Sequence, residues 1–245
     1  MSTMMQAAVV RQFGQPLQIE SLAMPTPGPG EVLIRLRASG VCHTDLHAAD
    51  GDWPVRPVLP FIPGHEGTGV VAALGQGVKN LREGDAVGVA WLHDACGRCE
   101  HCVGGWETLC EAQHNSGYSV NGTFAEYAIG AADYVARLPP QPDFRALAPI
   151  LCAGVTTYKG IRETEARPGQ WLAISGMPVF DVVLKRITLR GSIVGTRNDL
   201  AEALALAAQG KVRAHYHCAP LHDINRVFDR LRQGRVDGRV VLDLA

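Results

Sequence analysis

No stretch of this chain stays apolar for the roughly 20 residues that a membrane-spanning helix needs. The longest apolar runs, such as Ala203–Ala208, are short enough to sit inside an ordinary helix. Charge of one sign is equally scarce. Lys and Arg number 23 against 24 Asp and Glu, and a formal charge of −1 gives no electrostatic case for nucleic acid or an anionic membrane. The opening Met1-Ser-Thr-Met-Met has neither the basic region nor the apolar core of an export signal. Internal repeats and low-complexity linkers are absent as well. These absences predict a cytoplasmic protein without nucleic-acid or membrane partners. The 245 residues suffice for one large domain or two modest ones.

Cysteine is where the chain becomes specific. Seven are present, an odd number, and four crowd together at Cys96, Cys99, Cys102 and Cys110. The spacing C-x2-C-x2-C-x7-C lies in a polar, glycine-bearing loop. Thiolates that close on a turning backbone can complete a tetrahedron around Zn²⁺ and leave no open position. Disulfides fit less well, because the count is odd and the residues cluster instead of spreading. Such a closed site is structural, so any catalytic metal must be sought elsewhere.

From about residue 5 to 140 the chain reads as short strands broken by turns. Ala7–Val10 opens the series, and Glu31–Arg37 alternates with Val32, Ile34 and Leu36 on one face. Gly67–Leu74, Asp85–Ala90, Gly122–Ile129 and Tyr134–Leu138 follow. Regular short strands of this kind predict an antiparallel, barrel-like β domain. The character changes near residue 143. Helices are expected over Asp143–Pro149, Ala153–Arg162, Pro178–Arg186 and Asp199–Gln209, with strands at Trp171–Ser175 and Thr188–Val194. The tail reads strand, helix (Asp223–Gln233), strand (Gly238–Leu244).

Two further patches are dense in chemistry: Gly40-Val-Cys-His-Thr-Asp-Leu-His and Gly64-His-Glu-Gly-Thr-Gly. A catalytic zinc needs three protein ligands and one exchangeable position. Cys42, His65 and Cys152 are candidates for the three, and Glu66 adjoins His65. Taken singly, each is equally compatible with an ordinary core cysteine or a satisfied polar histidine. Thr44 and His47 offer a hydroxyl and an imidazole for proton transfer, or simply two polar surface residues. His215, His217 and Cys218 resemble another metal cluster, although strand alternation would separate them.

These motifs together resemble the zinc-dependent alcohol dehydrogenases of the medium-chain dehydrogenase/reductase superfamily, in the propanol-preferring and ethanol-type branch. The Gly40, Gly64 and four-cysteine patches, Cys152-Ala-Gly-Val-Thr-Thr-Tyr-Lys and the terminal Gly238-Arg-Val-Val-Leu-Asp carry the resemblance. It implies an α/β protein, mainly β in its N-terminal part, with a GroES-like β-barrel catalytic domain and a truncated Rossmann remnant. It implies two zinc ions per chain. Cys42, His65 and Cys152 would hold the catalytic one, with Glu66 as alternate ligand, and Cys96, Cys99, Cys102 and Cys110 the structural one. Thr44 and His47 would relay the proton, His43 and Arg239 would lie beside the NAD pyrophosphate, and Trp53 and Trp91 would wall a pocket for small primary alcohols or aldehydes. A homo-oligomer is also implied.

The resemblance has a gap. The family's first Rossmann strand runs into a glycine-rich turn that meets the pyrophosphate. Here Trp171–Ser175 reaches Gly176 and passes directly to Met177-Pro-Val-Phe, which resembles the approach to the last strand of that domain. No G-x-G-x-x-G occurs, and roughly ninety residues are missing relative to a six-strand plan. The expected organisation is therefore a catalytic domain at 1–150, a dinucleotide-domain remnant at 151–211 with a deletion junction near 176–177, and a segment at 212–245 returning to the catalytic domain. NAD binding should be impaired. Two other readings stay open: a cofactor-free zinc protein with weak hydrolytic or hydration activity, and an inactive zinc-binding domain.

Overall fold

The computed structural model describes residues 3–165 and 191–244. The strand expected over Trp171–Ser175, the helix over Pro178–Arg186 and the junction near 176–177 lie outside the described residues.

The framework is a seven-stranded sheet built around one long strand, β3 (Glu31–Val41). Labels run in chain order, with β1 (Met4–Val9) and β2 (Gln18–Ala23) forming a separate antiparallel pair. One edge of β3 pairs along its length with β4 (Gly67–Leu74), with register shifts at Leu33/Ile34 and Leu36/Ala38. Its other edge is divided. The first half pairs with β8 (Tyr127–Ala131), while Ala38–Val41 pair with the last strand, β11 (Arg239–Asp243). The C-terminal strand therefore docks beside the segment leading into Cys42. β5 (Ala86–Val89) and β9 (Ala136–Arg137) extend the sheet beyond β4, and β10 (Tyr216–Pro220) forms its opposite edge, parallel to β11. The short β6 (Leu92–Asp94) and β7 (His114–Asn115) pair near the cysteine loop.

Alternation in β3 buries Val32, Ile34 and Leu36 together with Val71, Val87 and Val89, as the sequence pattern predicts. A second core forms where β1 and helix α1 (His43–Asp50) meet the crossover helix between β10 and β11. That crossover helix, α6 (Ile224–Arg232), buries Ile224, Val227, Phe228 and Leu231, the i, i+3, i+4, i+7 stripe of an amphipathic helix.

A third core joins α4 (Ala153–Glu163) to α5 (Arg197–Ala208) through Leu147, Ile150, Leu151, Val155, Leu200 and Leu204. Thr196 and Asp199 cap α5 reciprocally, which starts the helix two residues earlier than its apolar pattern suggests. Asp199 is itself buried and forms ion pairs with Lys159 (3.3 Å) and Arg162 (3.1 Å), clamping α5 to α4. Two expectations need correcting. The backbone of residues 122–125 bonds to Ile62, Pro63, Gly64 and β1, and the main-chain ladder to β3 begins only at Glu126, whose carbonyl accepts the Leu36 N–H, so the strand expected at Gly122–Ile129 is displaced to Tyr127–Ala131. The described part of Thr188–Val194 is irregular, and Val194 has φ of +40°, which a β strand cannot accommodate.

Candidate active site

Strand β3 ends at Val41, and the next residue, Cys42, is the N-cap of α1. The turn is held by Asp45, whose carboxylate accepts the Cys42 N–H at 2.8 Å. Its other oxygen accepts the Gly64 N–H (3.2 Å) and the Nδ1–H of His65 (2.9 Å). Asp45 is 1% exposed and thus serves two ends of the site at once. With Nδ1 committed to Asp45, the Nε2 atom of His65 is the ring nitrogen available to a ligand. Asp45 was not singled out from the sequence. Its signal was its place three residues after Cys42, the N3 position of a capping box.

Cys152 arrives from the far side. It follows the short helix α3 (Phe144–Leu147) and a 3-10 turn at Ala148–Leu151, and it caps α4; the burial of Ile150 and Leu151 in the third core fixes its approach. Its sulfur lies 4.0 Å from that of Cys42, across 110 residues of sequence. One ligand atom from each of Cys42, His65, Glu66 and Cys152 lies within 4.8 Å of the others. The three residues that the sequence left separate are therefore one cluster.

Glu66 is fully buried, and its Oε1 accepts a 2.5 Å hydrogen bond from Nη2 of Arg239, on β11. Its Oε2 has no hydrogen-bond partner among the described residues. Gly40 makes this placement feasible, because a Cβ there would stand 1.8 Å from Oε2. Burial pushes the Glu66 carboxyl up to about 8 against the opposing pull of Arg239. The Cys42 thiol is pulled down, first by its hydrogen bond with Cys152 and then by His65, while Cys152 is pushed up by the same bond and by burial. Burial works against a protonated His65, but the charge and hydrogen bond of Asp45 override it and raise its pKa. Two sulfurs, one oriented imidazole and an orphaned buried carboxylate oxygen form a donor set that fits a zinc ion.

An aromatic wall flanks this cluster. Trp91 meets His65 edge-on, with ring centroids 5.2 Å apart, and Trp53 meets Trp91 at 6.2 Å. Tyr118 packs against both tryptophans, at 5.4 and 5.7 Å, and its hydroxyl bonds to the Val55 carbonyl. Tyr118 was also not singled out from the sequence, which holds no local signal for it. Thr44 and His47 share a face of α1 at i and i+3. The His47 ring stacks on Trp53 at 6.0 Å and its Nδ1 meets Asp52 at 2.9 Å. His43 is exposed on the first turn of α1. Arg239 borders a groove of about 570 Å³ lined by Ala153, Thr157, Ile161, Val212 and Gly238.

The cysteine loop forms a second convergent set. Cys99 caps the short helix α2 (Glu100–Val103), and Cys110 follows a 3-10 turn at Glu107–Leu109. Ligand atoms of Cys96, Cys99, Cys102 and Cys110 lie within 4.8 Å of one another. The backbone N–H groups of Arg98 and Cys99 pull Cys96 down to about 6, whereas loss of water pushes Cys102 up to about 12. Buried Glu107 accepts from both the backbone and Nε of Arg197, each at 3.1 Å, which ties the loop to the start of α5. His93, Asp94 and His114 lie nearby without forming a third such set among the described residues.

A curled sheet presenting a Cys/His/Cys/Glu cluster beside a four-thiol loop defines the class: a GroES-like catalytic domain of the dehydrogenase type. The model of the alcohol dehydrogenase GroES-like domain matches residues 28–140. An alcohol dehydrogenase of Rhizobium meliloti is 45% identical over 336 aligned residues, covering 98% of this chain and 99% of that protein. One from Moraxella sp. is 43% identical with the same coverage. The chain belongs to the zinc-dependent alcohol dehydrogenases of the medium-chain dehydrogenase/reductase superfamily. Among solved structures, the cobalt- and zinc-bound thermostable alcohol dehydrogenase of Pyrobaculum aerophilum superposes with a TM-score of 0.87 at 22% identity, covering 98% of this chain and 99% of that one. Acetophenone reductase from Geotrichum candidum, in complex with NAD, gives 0.87 at 21% identity, covering 99% and 98%. At such identities the likeness shows the fold. The 336 aligned positions outnumber the 245 residues of this chain, so the relative carries residues that have no counterpart here.

Proposed function

We propose that this chain retains the alcohol-side half of a zinc-dependent, NAD-linked dehydrogenase site, serving small primary alcohols and their aldehydes, with weakened hold on the coenzyme. The observation that carries the reading is the convergence of Cys42, His65 and Cys152, backed by Asp45 on His65 and by the unpartnered Glu66 oxygen. In this proposal one zinc ion is held by those three residues and a second by Cys96, Cys99, Cys102 and Cys110, giving two per chain. Bound at the first site, zinc supplies a Lewis acid for an alcohol or carbonyl oxygen. The protein supplies the rest. Trp53, Trp91 and Tyr118 wall the side of the cluster that Trp91 shares with His65, and such bulky rings favour a short alkyl group by sterics. Thr44 Oγ1 accepts the hydroxyl proton as its own proton passes on toward His47, which is half-exposed, paired with Asp52 and delivers a proton to solvent.

Hydride transfer needs a nicotinamide held at near-attack distance. The sequence has no glycine-rich turn for its pyrophosphate, and in this respect the residues present do not fit the coenzyme. What remains on the chain is His43, Arg239 and the groove beside α4, and Arg239 is already engaged by Glu66. The organisation we assign is a catalytic domain at 1–150, a dinucleotide-domain remnant at 151–211 and a returning segment at 212–245. A homo-oligomeric, cytoplasmic enzyme without nucleic-acid or membrane partners completes the proposal. No helix among the described residues is long and apolar enough to cross a membrane. The relatives do not favour the cofactor-free alternatives.

The test is direct. Zinc-loaded protein with ethanol or propanol and millimolar NAD should accumulate reduced-coenzyme absorbance. Chelator or His65→Ala should abolish the signal, and calorimetry should show weak NAD binding. A flat trace at saturating alcohol and NAD would refute turnover, and esterase activity indifferent to NAD would move the assignment to hydrolysis.

A further inference from the structure

Strand β10 carries chemistry that the dehydrogenase site does not use. His215, immediately before this edge strand, and His217, on it, are both exposed, with ring centroids 5.4 Å apart in an edge-on arrangement. The partner segment supplies a carboxylate. Asp237 Oδ2 lies 3.8 Å from Nε2 of His215. The parallel ladder sets this proximity: the Arg239 N–H bonds to the His215 carbonyl at 2.9 Å, and Tyr216 pairs with Arg239. Gly238, with φ of +70°, allows the close approach, since a Cβ there would come within 2.3 Å of the His215 carbonyl oxygen.

As an ion pair, two exposed groups at this distance contribute little. As ligands they are well spaced. A first-row dication bonds imidazole nitrogen and carboxylate oxygen at about 2.0–2.2 Å, so two donors on one ion stand roughly 3–4 Å apart. The His217 ring is exposed and 5.4 Å from that of His215, and sharing one ion with the other two donors requires its side chain to rotate toward them. Cys218 takes no part. It faces the other side of the strand, where Arg145, Asp243 and Asp143 act on its thiol.

We propose that His215, His217 and Asp237 form a surface site for a first-row transition-metal dication, at the rim of the groove bordered by Gly238 and Arg239. Two imidazoles and a carboxylate select nickel, copper or zinc over magnesium and calcium. The site is independent of the two cysteine-rich clusters and of the function proposed above.

The experiment dialyses zinc-loaded full-length protein until only tightly held zinc remains, about two ions per chain, and then titrates nickel chloride by calorimetry, with elemental analysis before and after to confirm that this zinc stays in place. One nickel equivalent per chain is expected while zinc content holds. His215→Ala and His217→Ala should each weaken nickel binding by about tenfold or more, as loss of a ligand from a small donor set does. Cys218→Ala should leave it unchanged. Absence of nickel binding, nickel uptake matched by zinc release, or binding that survives the H215A/H217A double variant would each overturn the proposal. These side chains are exposed, so the variants should fold like the parent.

Discussion

Replacing Asp45 with alanine would test the site at its most connected point. The carboxylate accepts three N–H groups, from Cys42, Gly64 and His65, and it is 1% exposed. Each buried donor left unsatisfied costs about 1–3 kcal/mol, so truncation should cost on the order of 3–9 kcal/mol. That is a large share of the roughly 5–15 kcal/mol that holds a typical domain together. Asp45→Asn keeps the shape and one acceptor oxygen but presents an amide NH₂ to donors, and its cost should be about 1–3 kcal/mol. The imidazole would also lose the partner that fixes its tautomer, weakening zinc retention by about 10–100-fold. Urea unfolding of zinc-loaded protein gives the first quantity, and competition with a chromophoric chelator gives the second. If both variants unfold within about 0.5 kcal/mol of the parent and keep zinc equally well, Asp45 does not organise the site.

Elemental analysis should find about two zinc ions per chain, falling to about one in Cys152→Ala and in Cys102→Ser, because each change opens a different donor set; one zinc unaffected by Cys152→Ala would remove the active-site metal. Gly40→Ala should cost about 1–3 kcal/mol by forcing Glu66 from its place, and a denaturation midpoint equal to that of the parent would contradict the close approach seen here. Burial pushes the Asp199 carboxyl up, but hydrogen bonds from Thr196 and the charge of Lys159 more than offset this and lower its pKa. The stabilisation is therefore present above the ordinary aspartate value near ~4 and is lost as pH falls through the lower folded value. Acid titration followed by circular dichroism should show a shallower acid limb in Asp199→Asn, and an unchanged limb would mean the α4–α5 clamp does not carry it.

The cysteine loop was legible because its ligands are neighbours in sequence: four thiols within fifteen residues can meet by local turning alone. Alternation on β3 and the apolar stripe on α6 were legible for the same reason, since period and burial are local properties. Helix α1 was not. Its N-cap is a cysteine, outside the usual capping residues, and it buries a mixture of Asp45, Leu46, Ala48 and Ala49 without a clear stripe. The divided edge of β3 was also hidden, because only the tertiary fold brings β11 beside Ala38–Val41 and so places Arg239 against Glu66.

The amino-acid sequence by itself thus determined the donor types, the closed thiolate loop and the missing glycine-rich turn, all of which reside in adjacent residues. Only the tertiary structure decided that Cys42 and Cys152, 110 positions apart, stand 4.0 Å from each other, and that Asp45 holds the His65 imidazole in the same cluster. Long-range convergence depends on which strands pair and how cores pack, and neither is written in any local stretch of chain.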